Sequence, residues 1–263
     1  MIRKLTTCFF AVSLSLFLAA CGNNAPPNTV FGVEDLPGKT IGVILDSTGD
    51  AFASEYEEKG SVVERFSYAE DAVVALTKGD LDCVIVDEQP ARVLVDKYKE
   101  LTILDEQFVT EHYAFCVSKD RPELTEKFNN ALAGMKDSGT LEQIIANYIG
   151  DAKGTCPYQS PADADRSGGV LTLAVHIGFE PYEFYEEDVV KGIDIDIARA
   201  FCDAAGYELK IEDMDFDSII AAVQTGKADF GCSALTITED RSKLIDFTDS
   251  YTSSSQVAIV RKE

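Results

Sequence analysis

Two residues of opposite charge stand where a folded chain could use them. Arg241 follows Thr236-Ile237-Thr238-Glu239-Asp240, just past the end of an apolar, strand-like run, and Asp87 closes another, Cys83-Val84-Ile85-Val86. A guanidinium holds a carboxylate through paired hydrogen bonds, and a carboxylate holds an ammonium. The pair therefore has the chemistry to take a small amphoteric ligand such as a free amino acid. By residue type alone, a surface salt bridge is the commoner role for each. Ser47, Thr48, His176, Ser233 and Thr236 fall at comparable strand ends, where open parallel sheets bind their ligands. Motifs for catalysis are missing. The chain has two histidines, no G-x-S-x-G, no H-E-x-x-H, no phosphate loop and no dinucleotide fingerprint. None of its seven cysteines falls in a C-x-x-C or a metal-ligand spacing. The expectation is no metal, no cofactor, no required disulfide and no reaction on the ligand.

The elements that must hold these residues alternate strand and helix twice over, which argues α/β layers with mostly parallel sheets. The first run has a strand at Thr40 to Leu45, a helix opened by Asp46-Ser47-Thr48, a helix at Ala69 to Thr77 and a buried strand at Cys83 to Val86. Residues 121–149 are mainly helical. Asp151 to Gly169, rich in Gly, Pro, Asp and Ser, reads as a linker. The second run has a strand at Leu171 to Val175, a helix at Ile193 to Ala205 and a strand at Glu208 to Glu212. A helix at Phe216 to Thr225 and a strand at Asp229 to Ser233 complete it. The runs echo each other: Ala72 to Asp87 lies over Ile219 to Ala234 without a gap, Gly79 on Gly226 and Asp82 on Asp229. Two related lobes are the expected result.

Composition bounds the partners. The 263 residues are 46% hydrophobic and carry a net charge of −23, enough apolar content for a real core. That charge leaves no positive field for nucleic acid or an anionic membrane surface. The first twenty residues stand apart. Arg3 and Lys4 precede an uncharged apolar run, Cys8 to Ala20, too short to span a bilayer comfortably and suited to a secretory signal. It closes in Leu18-Ala19-Ala20-Cys21-Gly22, which resembles the lipobox of bacterial lipoproteins, and this resemblance implies a lipid on Cys21. Removing residues 1–20 takes away Arg3 and Lys4 and no acid, bringing the charge from −23 to −25. Residues 21–33 read as a flexible tether.

A wider resemblance covers nearly all of 34–150 and 170–263. Phe216 to Arg241, with Gly226-Lys227-Ala228-Asp229 and Thr236-Ile237-Thr238-Glu239-Asp240-Arg241, and then Asp246-Phe247-Thr248-Asp249-Ser250-Tyr251, resemble the polar amino acid binding proteins of ABC importers, bacterial solute-binding family 3. Gly178-Phe179-Glu180-Pro181-Tyr182, Gly192-Ile193-Asp194-Ile195-Asp196, Leu36 to Val43 and the helical stretch from Gly139 to Tyr148 extend it. The resemblance implies a two-lobed α/β fold of the periplasmic-binding-protein type (type II), with an amino acid held between the lobes. Arg241 would then clamp the ligand carboxylate with Thr236 and the Ser47–Thr48 turn. Asp87 would take the ammonium beside Ser233, and Phe179 and Phe216 would sandwich the side chain. His176 stands where relatives preferring cationic ligands often carry an aspartate, which puts a lysine or arginine ligand in doubt unless Glu180 or Glu183 substitutes.

The order of segments departs from the family pattern. The stretch that usually closes such a protein, Gly139 to Ile149, precedes the stretch that usually opens it, Leu171 to Val175, which implies a circular permutation. One lobe would be 34–110 plus 257–263 and the other 113–252, with crossing strands near 109–112 and 253–256. The implied protein is a monomeric, lipid-anchored, extracytoplasmic receptor serving an ABC permease. The same fold also resembles periplasmic cyclohexadienyl dehydratases, which would need a cleft acid such as Glu180 or Glu183 as proton donor. A ligand-binding partner of a sensor is a third expectation.

Overall fold

The first lobe grows from β1 (Thr40–Ile44), whose Ile41, Val43 and Ile44 are all buried. The computed structural model of the chain describes residues 25–262; the expected signal segment and Cys21 lie outside the described residues. Along the chain follow α1 (Thr48–Ser54), β2 (Val62–Phe66), α2 (Ala69–Lys78), β3 (Cys83–Asp87), α3 (Glu88–Lys97) and β4 (Leu101–Ile103). After β5 (Thr110–Tyr113) come β6 (Cys116–Val117), α4 (Pro122–Ser138), α5 (Thr140–Tyr148), β7 (Val170–Val175), β8 (Phe184–Glu186) and β9 (Val189–Lys191). The chain ends with α6 (Ile193–Ala205), β10 (Glu208–Asp213), α7 (Ile219–Gln224), β11 (Phe230–Gly231), α8 (Glu239–Leu244), β12 (Asp246–Phe247) and β13 (Thr252–Arg261).

Two sheets result. The first runs β2-β1-β3-β13-β4, with β1 parallel to β2 and β3, and β13 antiparallel to β3 and β4. The second runs β10-β7-β11-β6-β12, with β7 parallel to β10 and β11. Between them β5 pairs with the first half of β13, Thr252 facing Tyr113 and Ser255 facing Thr110. The second half of β13 enters the first sheet, so one strand reaches both lobes. Its Val257, Ala258, Ile259 and Val260 are buried to within 2% exposure, as expected of a strand covered on both faces.

The sequence echo is a structural one. Gly79 and Gly226 both stop helices in the left-handed conformation, φ 86° and 72°, where a residue without Cβ is favoured. Asp82 then accepts from Thr40 N at 2.9 Å and donates its own N–H to Thr40 O at 2.8 Å. Asp229 does the same with Thr172, at 2.7 and 2.8 Å. Each aspartate thus locks the strand after the helix to the strand that opens its lobe.

Several expectations shift. The strand expected over Asp229 to Ser233 shortens to Phe230–Gly231, because Ser233 and Ala234 take φ of 148° and 45° and leave the ladder. The helix expected from Phe216 begins as a 3₁₀ turn, Phe216–Ser218, before α7. Strand β2 and the exposed β8–β9 hairpin were not among the expected elements. Residues 25–33 are no free tether. Val30 is fully buried among Leu36, Ile41, Val43 and Val260, Asn28 closes a turn onto Val30 N at 3.0 Å, and Arg261 Nε donates to Pro26 O at 2.8 Å. The 151–169 linker has no helix or strand, yet Tyr158 and Arg166 pin it to Asp203 on α6 at 3.0 and 2.8 Å. Cys83, Cys116, Cys156, Cys202 and Cys232 are all free, and all but Cys156 are buried.

Candidate functional site

Asp87 reaches the space between the lobes because β3 ends there and α3 begins; it is the residue before the helix. The residue is 7% exposed, and its carboxyl has no cation beside it among the described residues. Tyr113 donates its hydroxyl to Asp87. Burial, and then the charge of Glu111 on β5, push the Asp87 carboxyl well above the ordinary carboxylate range. Glu111 is itself held by Gln256 of β13, whose Nε2 donates to it at 3.0 Å and lies 3.3 Å from Thr48 Oγ1. The acid at the tip of β3 is therefore tied to both strands that run between the sheets.

Arg241 faces it from the other lobe. The Thr238 side chain caps α8 by accepting from Arg241 N at 3.2 Å, which fixes the root of the side chain. The guanidinium donates through Nη1 to Thr236 O at 3.1 Å and through Nη2 to Asp46 O, across the cleft, at 2.9 Å. It lies 5.5 Å from the Phe216 ring centroid, a cation–π distance. No carboxylate pairs with it among the described residues. Burial lowers its pKa, opposed by the negative charge of Glu111 and Asp87.

A small cavity lies between these groups. All nine residues expected at a binding site line it: Ser47, Thr48 and Asp87 from the first lobe, and His176, Phe179, Phe216, Ser233, Thr236 and Arg241 from the second. Ile44, Glu183 and Ala234 line it too. Ser47 caps α1 by accepting from Asp50 N at 3.0 Å. The Ser233 hydroxyl accepts from His176 N at 2.9 Å, so part of its capacity holds the backbone of β7. His176 Nδ1 meets Met214 O at 3.1 Å, and its ring stacks on Tyr68 of the opposite lobe at 4.6 Å. That contact and the Arg241–Asp46 bond both bridge the lobes.

The loop that presents Ala234 and Thr236 rests on Asp194. Its Oδ2 accepts from Ala234 N at 2.9 Å, and Tyr251 donates to Oδ1 at 2.5 Å. Burial pushes the Asp194 carboxyl up to about 6, with the Tyr251 and Ala234 bonds opposing. Gly192 makes this placement possible. A Cβ there would lie 1.9 Å from Tyr182 O, and φ is 136°, so α6 abuts the 178–183 turn only with glycine.

Glu183 is the group that sequence reasoning named only as a substitute acid or, in the dehydratase reading, as a proton donor. It is 0% exposed, with the Ser233 and Asp194 side chains beside it. Its position between Tyr182 and Phe184 was the available signal: an acid inside an apolar run is costly unless used. Glu180, the other substitute, points away and meets Lys153 at 3.2 Å. Among the described residues no His, Cys, Asp and Glu cluster is arranged to hold a metal ion. The cavity offers the Arg241 guanidinium together with the Asp87 and Glu183 carboxyls, with Phe179 and Phe216 in its wall. That is a receptacle for a molecule bearing both charges.

Residues 171–263 match the family model for bacterial extracellular solute-binding proteins, family 3. The arginine-binding extracellular protein ArtP of Bacillus subtilis is 33% identical over 93 residues, 35% of this chain and 36% of that protein. The arginine-binding protein ArgT of Corynebacterium glutamicum is 32% identical over 109 residues, 41% of this chain and 34% of its own. The ABC transporter arginine-binding protein 1 of Escherichia coli is 32% identical over 94 residues, 35% of this chain and 39% of its own. The chain thus spans little more than a third of the length of these relatives. Residues 171–263, the stretch that brings His176, Phe179, Phe216, Ser233, Thr236 and Arg241 to the cavity, are thus similar to the bacterial extracellular solute-binding proteins, family 3.

Proposed function

We propose that the protein is an extracytoplasmic receptor that closes its two lobes on a free amino acid and hands it to the permease of an ABC importer. The observation that carries this is the opposition, across one cavity, of an unpaired guanidinium on one lobe and a buried carboxyl on the other. A zwitterion satisfies both at once, Arg241 taking its carboxylate and Asp87 its ammonium, and no reaction is needed. The names of the arginine-binding relatives support a ligand with a basic side chain. Thermal-shift measurement of the purified protein against the common amino acids tests it. A ligand at a hundred times its Kd stabilises by about 2.7 kcal/mol, and a screen in which none raises the melting temperature removes the proposal.

Three features belong to the same reading. A lipid on Cys21 would hold the receptor at the membrane, and among the described residues no helix is long and apolar enough to cross one. The receptor acts as a monomer, since each copy supplies both lobes. The chain is a circular permutation, which is supported by a family match that starts at residue 171 while residues 40–103 build the facing sheet. A second reading, a dehydratase on the same scaffold, draws on Glu183 as a buried cleft acid. Release of phenylpyruvate from prephenate, or of phenylalanine from arogenate, by the purified protein would favour it over transport.

A further inference from the structure

Tyr68 belongs to the first lobe, yet its ring is spent on the second. It lies just past β2, at the end of the sheet where the parallel strands β1 and β3 deliver Ser47 and Asp87. It also stands immediately before α2, and its side chain makes no cap bond there. Its carbonyl accepts from Asp71 N at 3.2 Å, so the main chain is fixed while the ring is left free of local duty. The ring stacks on that of His176 at 4.6 Å, with 29° between the planes. It also covers Gly178, where a Cβ would lie 3.0 Å from Tyr68 Cδ1 and 3.1 Å from Cε1. That is inside ordinary van der Waals contact, so only a glycine lets the ring rest on this stretch of backbone. Burial, and then the charges of Asp213 and Asp215 on the second lobe, push the Tyr68 hydroxyl above its ordinary value.

The surface beneath Tyr68 is rigid. Ser233 Oγ accepts from His176 N at 2.9 Å, and His176 Nδ1 meets Met214 O at 3.1 Å. Gly178 N and Phe179 N both donate to Glu183 O, at 3.1 and 2.8 Å, which closes the 178–183 turn on itself. His176 and Phe179 line the cavity, whereas Tyr68 does not and stays 38% exposed. Its contacts with His176 and Gly178 exist only while the lobes are together, because swinging them apart on β5 and β13 pulls the ring away. We infer that Tyr68 is a latch: its ring, seated on His176 and Gly178, holds the lobes shut over the bound amino acid and slows its release without touching it. This rests on the amino acid reading above and adds the residue that governs how long the ligand stays. The Arg241–Asp46 bond also bridges the lobes, but Arg241 serves the ligand as well, so only Tyr68 separates closure from contact.

Release kinetics test it. The probe is the labelled amino acid that raises the melting temperature most in the screen above, chased from the protein by an excess of the unlabelled compound. Tyr68→Ala should release it about three- to tenfold faster, the range that loss of an aromatic stack supports. Association should stay within about twofold, since encounter takes place with the lobes apart. Tyr68→Phe keeps the ring and should release within about twofold of the parent rate. Tyr68→Leu, apolar but without a stacking face, guards against a misfolded alanine protein and should also release faster. Parent-like release from the folded Tyr68→Ala or Tyr68→Leu protein overturns the inference and leaves the receptor reading standing. So does a loss of affinity that lies in association alone, or a Tyr68→Phe protein that releases as fast as the leucine variant. An unaltered protein that binds none of the common amino acids overturns the receptor reading, and the latch with it.

Discussion

At the scale of single residues, the cavity is built from groups whose pairing is left incomplete. Arg241 spends its guanidinium on two backbone carbonyls, and Asp87 takes a tyrosine hydroxyl and has no cation beside it among the described residues. Such groups are functional candidates because the fold bears their cost without a local return. Removing either should therefore separate binding from folding. Asp87→Asn discards a buried acid whose ionised form is disfavoured by burial and by Glu111. The free protein should melt no lower than the parent, while affinity for the best amino acid falls by more than about tenfold. Arg241→Ala should lose affinity by a similar factor and also lose the bridge to Asp46. Calorimetry paired with thermal melts measures both halves, and an Asp87→Asn protein of unchanged affinity would remove Asp87 from the site.

At the scale of elements, what the sequence disclosed follows from how local each signal is. The α2–Gly79–β3 unit and its echo at α7–Gly226–β11 were readable because a helix, a left-handed stop and an apolar strand are all set by neighbours in the chain. The end of β11 was not readable, since Ser233 and Ala234 are pulled out of line by Asp194, forty residues away on α6. The docking of residues 25–33 was equally hidden: Asn and Pro suggest a tether, and the lone Val30 finds its pocket only in the folded lobe. The nine site residues were reached through strand ends and motif resemblance. Glu183 was only half seen, because only the folded 178–183 turn brings its buried side chain into the cavity wall. Two tests belong here. Gly192→Ala puts a methyl into the Tyr182 carbonyl, and should cost on the order of 3 kcal/mol together with ligand affinity. Deleting residues 257–263 strips the partner from β3 and β4, leaving open edges. A truncated protein that melts and binds like the full chain would rule out the assignment of this strand to the lobe of residues 34–110.

At the scale of the whole molecule, the buried acids set how stability responds to pH. Asp194 titrates at about 6 in the fold, above the ordinary 3.8, and Asp87 and Glu183 are displaced in the same direction. The folded state therefore binds protons more tightly than the unfolded chain. That stabilisation is present near the ordinary carboxylate range and is lost as pH rises through the folded values. Asp194 alone contributes on the order of 3 kcal/mol, and relief of the −23 net charge adds to it. Exposed carboxylates drawn down by lysines, such as Glu70 beside Lys97, act the opposite way but weakly. Melting of the free protein should be higher at pH 5 than at pH 8; a flat or reversed profile would mean these acids are ionised. The seating of residues 25–33 has a mechanical consequence under the proposed lipidation. Only four peptide steps join Cys21 to Ala25, a reach of roughly 14 Å, and from Val30 onward the chain is already part of the lobe of residues 34–110. That lobe becomes a stator moored close to the bilayer, and the lobe of 113–252 a rotor swinging on β5 and β13. Opening and closing would then be registered against the membrane plane, with the rotor alone sweeping towards or away from whatever stands beside it.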